Sequence, residues 1–176
     1  MLGDLEDWRV PPLAREVLES LVGRLRHLEG TIAGRDRRLV PMTRTDPVCR
    51  GLAEVPGVGP AIATSFTAVV PDPGRFSSGR HLSAWLGLVP GQHSTGGKPR
   101  PVGLSKRGDA YLRHQLTHGA RAVVRIGRHR RGKLWSWIED LLARRPFNVV
   151  VAAVANKPAR IIWVMLSRGE AYRCAA

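Results

Sequence analysis

Val55-Pro56-Gly57-Val58-Gly59-Pro60-Ala61-Ile62-Ala63 is the stretch on which the fold turns. Two glycines flank a valine between prolines, and an alanine-rich helical pattern follows. Gly57 and Gly59 can adopt backbone angles that a side chain forbids, and they leave amide N–H groups bare at the start of a helix. That is the tight turn of a helix-hairpin-helix, expected over about residues 48–70. In such a turn the amides around Gly57, Val58 and Gly59, aided by the helix dipole, grip a phosphate without reading a base. A plain helix–helix corner is the alternative reading of the same residues.

Outward from the turn, the pattern is helical on both sides. Asp46-Pro47 opens a short helix ending near Leu52, and Ala61–Val69 forms the second hairpin helix. Upstream, Leu18, Leu21, Leu25, Leu28 and Ile32 alternate three- and four-residue spacings, a heptad seam on a helix expected over about residues 13–38, with Pro41 as its end. So narrow a stripe fits a partner helix, from another subunit or from a portion of protein outside these residues; an ordinary packing helix of this domain is the alternative reading. Downstream, Ser77-Ser78 caps a helix carrying Leu82, Trp85 and Leu86. A Gly-rich segment over about 89–104 has room for a short β-hairpin. Helices are expected over about 109–126, with Tyr111, Leu112, Leu116, Ala120 and Val123 as an apolar face, over about 134–143, and over about 148–167 with Pro158 at a start or kink. The fold class is mainly α: a coiled-coil-like segment over residues 1–45, then a helical domain over 46–176 that holds the hairpin and the Gly-rich loop.

Charge narrows the partner. Residues 1–72 are nearly balanced, with 9 Arg against 10 Asp/Glu. Residues 73–133 carry 13 Lys/Arg against Asp109 alone, so most of the net charge of +14 lies there. Cations concentrated with so few acids are the footprint of a polyanion, because each neutralised phosphate releases counterions. A solvated basic face or an anionic membrane surface would share that composition. No segment reads as a membrane span, and the first residues lack a signal peptide's basic start and apolar run. Cys49 and Cys174 stand far apart, as two reduced thiols would.

Within the basic region, Ser94 and Thr95 place two hydroxyls in the glycine loop, where either could attack a phosphodiester. Lys98, Arg100, Lys106, Arg107 and Arg113 are the candidate charge stabilisers. His93 beside Ser94 is a candidate base or an ordinary solvated histidine. His114 and His118 stand at i and i+4, a metal-ligand spacing, but with no third ligand in view and cationic surroundings helix packing or phosphate contact is the preferred reading. Two-metal phosphoryl transfer needs clustered carboxylates; this half offers Asp72 and Asp109, and Asp4, Glu6 and Asp7 sit at the terminus.

Taken in order, Val55-Pro56-Gly57-Val58-Gly59-Pro60, Leu86-Gly87-Leu88-Val89-Pro90, Ser94-Thr95-Gly96-Gly97-Lys98 and Leu104-Ser105-Lys106-Arg107-Gly108-Asp109 with Tyr111-Leu112-Arg113 resemble the C-terminal region of the IS-one-ten family of insertion-element transposases. Ala155-Asn156-Lys157 with Ala159-Arg160-Ile161-Ile162-Trp163, and Arg168-Gly169-Glu170-Ala171-Tyr172, resemble that region's end. The resemblance implies a serine nucleophile at Ser94, with Thr95 as the alternative position, and nucleic-acid contacts from Gly57, Val58, Gly59, Lys98, Arg100, Lys106, Arg107 and Arg113. It implies DNA and a structured guide RNA as partners, a homo-oligomer through the N-terminal helix, and a cytoplasmic, nucleoid-associated setting. Mg²⁺ belongs, by the same resemblance, to an acidic RNase H-type N-terminal domain whose ligands are not among these residues, so a truncated chain and no cofactor on this domain are the expectations. A non-catalytic helix-hairpin-helix remnant that binds DNA or RNA is the rival reading.

Overall fold

The computed structural model describes residues 11–95, 98–127 and 132–173, with the backbone alone over 92–102. It is mainly α, as the periodicity predicts: seven helices and one two-stranded sheet among the described residues. The chain divides into two compact units, residues up to Val40 and from Pro41 onward.

The first unit is made by helix α1 (Pro12–Thr45), which continues past the division for its last five residues. Pro41 was expected to end this helix and instead lies inside it. A proline costs one backbone hydrogen bond and crowds the carbonyl four residues back, a penalty a helix carries as a local distortion when bonds on either side persist. Here Asp46 N donates to the Met42 carbonyl and Thr45 Oγ1 caps the carbonyls of Pro41 and Met42. The heptad residues Leu18, Leu21, Leu25, Leu28 and Ile32 are 41–59 % exposed, so the seam is apolar surface.

The second unit holds the core. Helix α2 (Pro47–Leu52) is capped by Asp46, whose carboxylate accepts from the amides of Val48 and Cys49. Residues 53–59 turn the chain into α3 (Pro60–Val69). A short 3-10 turn (Pro73–Arg75) leads to α4 (Gly79–Trp85), capped by Ser78 through its bond from His81 N. The Gly-rich segment is a β-hairpin, β1 (Pro90–Thr95) antiparallel to β2 (Lys98–Leu104), with Ser94 opposite Pro99 and a register shift between Pro90 and Gly91. Then come α5 (Ala110–Ile126), capped by Asp109, α6 (Lys133–Leu142) and α7 (Phe147–Arg168). On α5 the apolar face differs by one residue at each end. Tyr111 is 55 % exposed, whereas Val124 joins Leu112, Leu116, Ala120 and Val123 in the core.

Helix α7 is the hub, packing on α4, α5, α6 and α2. By length and composition it is apolar enough to cross a membrane, contrary to the sequence expectation. Its apolar face has a protein partner, however: Val150, Val151, Val154, Ala155, Ala159 and Ile162 are all buried against neighbouring helices. Lys157 and Arg160 stand exposed between them. That alternation is the pattern of a core helix with one wet stripe. Pro158 lies mid-helix and buried, so it is not the helix start.

Candidate nucleic-acid interface

Two glycine-dependent features of the second unit shape the site. At the turn, Gly57 takes a φ of +84°, a region where a side chain is strained. A Cβ there would meet Val123 Cγ2 at 3.0 Å and the Gly119 carbonyl at 3.1 Å. The turn thus lies directly on α5, glycine on glycine. Gly59 differs from expectation. It is extended (φ −91°, ψ 178°) with open space where a Cβ would go, so its backbone needs no glycine. Val58 turns into the core and its amide donates to the Val55 carbonyl at 2.9 Å. The amides of Gly57, Gly59, Ala61 and Ile62 have no acceptor among the described residues. They are the donors left at the start of α3.

The second feature is the foot of the β-hairpin. Arg113 Nη1 donates to the Leu86 carbonyl at 3.0 Å and the Arg107 carbonyl at 3.2 Å, joining the segment that leaves α4 to the one that enters α5. Gly108 (φ +80°) packs so closely on Trp85 that a Cβ would overlap its carbonyl. Ser105 N donates to the Val89 carbonyl, closing the neck at 2.9 Å. Asn156 Nδ2 on α7 donates to Ser83 Oγ at 2.5 Å and the Leu88 carbonyl at 3.1 Å. Sequence reading gave Asn156 no mechanical role, because its partners lie 68 and 73 residues away. The hairpin is therefore rooted at its base by two side chains, a guanidinium and an amide.

Of the residues singled out by sequence, Lys106 and Arg107 stand exposed at this foot, Lys106 with a φ of +55° that few non-glycine residues adopt. Arg113 is half-buried, and its Nη1 is already engaged on the two carbonyls. Ser94 and Thr95 lie on β1 and Lys98 and Arg100 on β2; their side chains, with that of His93, lie outside the described residues. Gly96, Gly97 and the arginines at 128, 130 and 131 lie outside them altogether, as do Asp4, Glu6 and Asp7. The rings of His114 and His118 sit 4.5 Å apart. Among the described residues no three His, Cys, Asp or Glu side chains gather to hold a metal.

Comparison with known proteins gives the arrangement its family. The sequence profile described as "Transposase IS116/IS110/IS902 family" matches residues 49–135, from α2 through the hairpin to the start of α6. A "Probable family 20 transposase" of Pseudomonas aeruginosa is 46 % identical over 164 residues, covering 93 % of this chain and 48 % of its own length. The "Transposase for insertion sequence element IS1111A" of Coxiella burnetii is 40 % identical over 94 % of this chain and 45 % of its own. The "Transposase for insertion sequence element IS1328" of Yersinia enterocolitica is 35 % identical over 95 % and 50 %. The chain spans about half the length of the curated relatives it matches. Rooted hairpin, glycine turn and basic segment all fall where the profile matches or directly beside it, and the chain belongs to the IS116/IS110/IS902 family of transposases.

Proposed function

We propose that these residues form the DNA-binding C-terminal domain of an insertion-element transposase, holding phosphates at two places and presenting a serine to a third. The free amides at the start of α3 take one phosphate along the helix dipole. Lys106 and Arg107 take the backbone next to the hairpin foot. Ser94, on the strand rising from that foot, is the nucleophile. Its Oγ bonds to phosphorus as one P–O bond to a sugar oxygen breaks; the serine proton passes to a base and the departing sugar oxygen gains one. A phosphoserine ester forms, and reversing the step on a different sugar hydroxyl rejoins strands. Strand exchange by this route needs no outside oxidant or nucleotide.

The observation that carries this reading is the rooted hairpin. A nucleophile on a loose loop loses the advantage of fixed approach, whereas one on a strand clamped by Arg113 and Asn156 keeps it. The test is trapping of a protein–DNA adduct on a nicked substrate, with a full-length chain that joins these residues to the family's acidic domain. Ser94→Ala should abolish the adduct and Thr95→Ala should keep it. The reverse outcome moves the nucleophile to Thr95; loss in neither removes the serine chemistry and leaves a binding remnant.

The exposed seam of α1 favours a second copy of the chain as a further partner, since five heptad residues at 41–59 % exposure are costly in water. Leu21→Glu should then lower the sedimenting mass, and an unchanged monomeric mass of the parent chain would remove the idea. A structured guide RNA is the other partner that the basic segment accommodates, with the cytoplasm as its setting.

A further inference from the structure

A groove of about 820 Å³ lies between the start of α4, one stripe of α7 and the tail after it. Its cations are Arg80, Lys157, Arg160 and Arg173, drawn from three elements and all exposed. One carboxylate faces them, Glu170, which sits 3.6 Å from Arg168. The floor is apolar and half-buried: Ile161, Trp163, Val164 and Met165. Trp163 is fixed in that floor by its indole N–H, which donates to the Phe76 carbonyl at 3.0 Å. A smaller groove of about 180 Å³ continues past Lys157, Ile161, Tyr172 and Arg173 to Lys133 and to Pro56 of the turn.

From this arrangement we infer a second nucleic-acid site, for an unpaired strand, with phosphates along Arg80, Arg160 and Arg173 and bases laid against the Ile161–Trp163–Tyr172 side. The inference rests on the reading of this domain as a nucleic-acid binder and adds a ligand class and a location to it. Three features favour a single strand over a duplex. The apolar floor is useful only to exposed base faces, which a duplex hides in its stack. The groove has the volume of a ligand cleft, within about 300–1,000 Å³, which suits a few nucleotides and not the bulk of a double helix. And cations bordering an aromatic-bearing floor are how single strands are held without reading sequence. The track also reaches Val55 and Pro56, so a strand lying in it ends next in sequence to the turn whose amides are proposed to hold a phosphate.

The test compares fluorescently labelled oligo(dT) and oligo(U) of about twelve nucleotides with a duplex of equal length, by anisotropy on this chain across a salt series. In the Arg80→Ser/Arg160→Ser variant, unpaired oligomers should bind about 10-fold more weakly, with the salt slope reduced by about 1.4, while duplex affinity stays within about 2-fold. Arg173→Ser, on the tail after α7, should act in the same direction at no risk to the helices. Preference for oligo(U) or for oligo(dT) assigns the strand as RNA or DNA. No measurable binding of either oligomer, equal losses on duplex and oligomers, or no change on either overturns the site. Failure of the serine reading appears instead as a missing adduct with oligomer binding intact.

Discussion

Helices α1 and α7 are both long, both apolar on one side and both carry a proline within them, yet they differ in how much of that apolar side is covered. Over its 34 residues α1 buries Thr43 alone, while α7 buries seven of its 22. The seam of α1 repeats every 3.5 residues, a narrow stripe suited to one other helix; the face of α7 is wider and meets four. Periodicity thus identifies an apolar face and its width. Whether that face is covered by the same chain depends on residues far away in sequence.

The sharpest way to break this contrast is a matched pair of carboxylates. Ala159→Asp places a charge at a position of zero exposure on α7 and should cost about 3–5 kcal/mol, enough to abolish a cooperative thermal transition. Ile32→Asp, at 59 % exposure on α1, should leave that transition within about 0.5 kcal/mol while removing self-association. Comparable losses of folding from both would mean that the seam of α1 is part of the same core.

A second pair concerns glycines. Gly57→Ala forces a side chain into a positive φ and onto α5, and should destabilise by about 1–3 kcal/mol in urea unfolding. Gly59→Ala, extended and unobstructed, should fall within about 0.5 kcal/mol of the parent. Equal costs would show that sequence pattern, which treats the two alike, is the better guide. The pair also warns against testing the phosphate grip with a bulky change at Gly57, because the fold would fail with it.

Smaller effects sharpen the picture at the hairpin. Arg113→Met keeps the packing stem and removes two hydrogen bonds, and should cost about 1–2 kcal/mol. Faster amide exchange at Ser105 and Lys106 should accompany it, with α7 unaffected. The smallest effect expected is at Asp46. Hydrogen bonding from the Cys49 side chain and the Val48 amide holds its carboxyl below the ordinary carboxylate range. A depressed folded pKa stabilises above the ordinary value near 4 and is lost as the pH falls through the lower folded value. Asp46→Asn should therefore flatten the acid limb of the stability–pH curve while leaving neutral stability close to the parent; an unchanged acid limb would deny Asp46 that role.

Local chemistry made much of this legible. Asp46, Ser78 and Asp109 announce three helix starts because a short polar side chain accepts from the first free amides, a relation confined to one turn of chain. The β-hairpin likewise follows from its glycines and prolines. What stayed hidden was non-local. Pro41 reads as a stop because a proline's penalty is visible in sequence and the neighbouring bonds that absorb it are not. Gly57 and Gly59 look equivalent until α5 arrives against one of them. The basic excess of residues 73–133 draws the eye to the hairpin, whereas the α7 groove takes Arg80 from there and Lys157, Arg160 and Arg173 from a segment with little net charge. At the hairpin, charge is counted along the chain; at the groove, it is assembled across it.

Helix α5 has a consequence that reaches beyond packing. At one end Arg113 ties down the hairpin foot, and six residues later Gly119 receives the Gly57 turn. At 1.5 Å per residue the two attachments are about 9 Å apart along the axis, and about 120° apart around it. The helix is a ruler with two marks, and it sets both the spacing and the phase between the turn and the hydroxyl-bearing strand. Deleting a single residue between the marks would shorten that spacing slightly but rotate one attachment about 100° relative to the other. Insertions and deletions in this interval are thus read as changes of angle far more than of length.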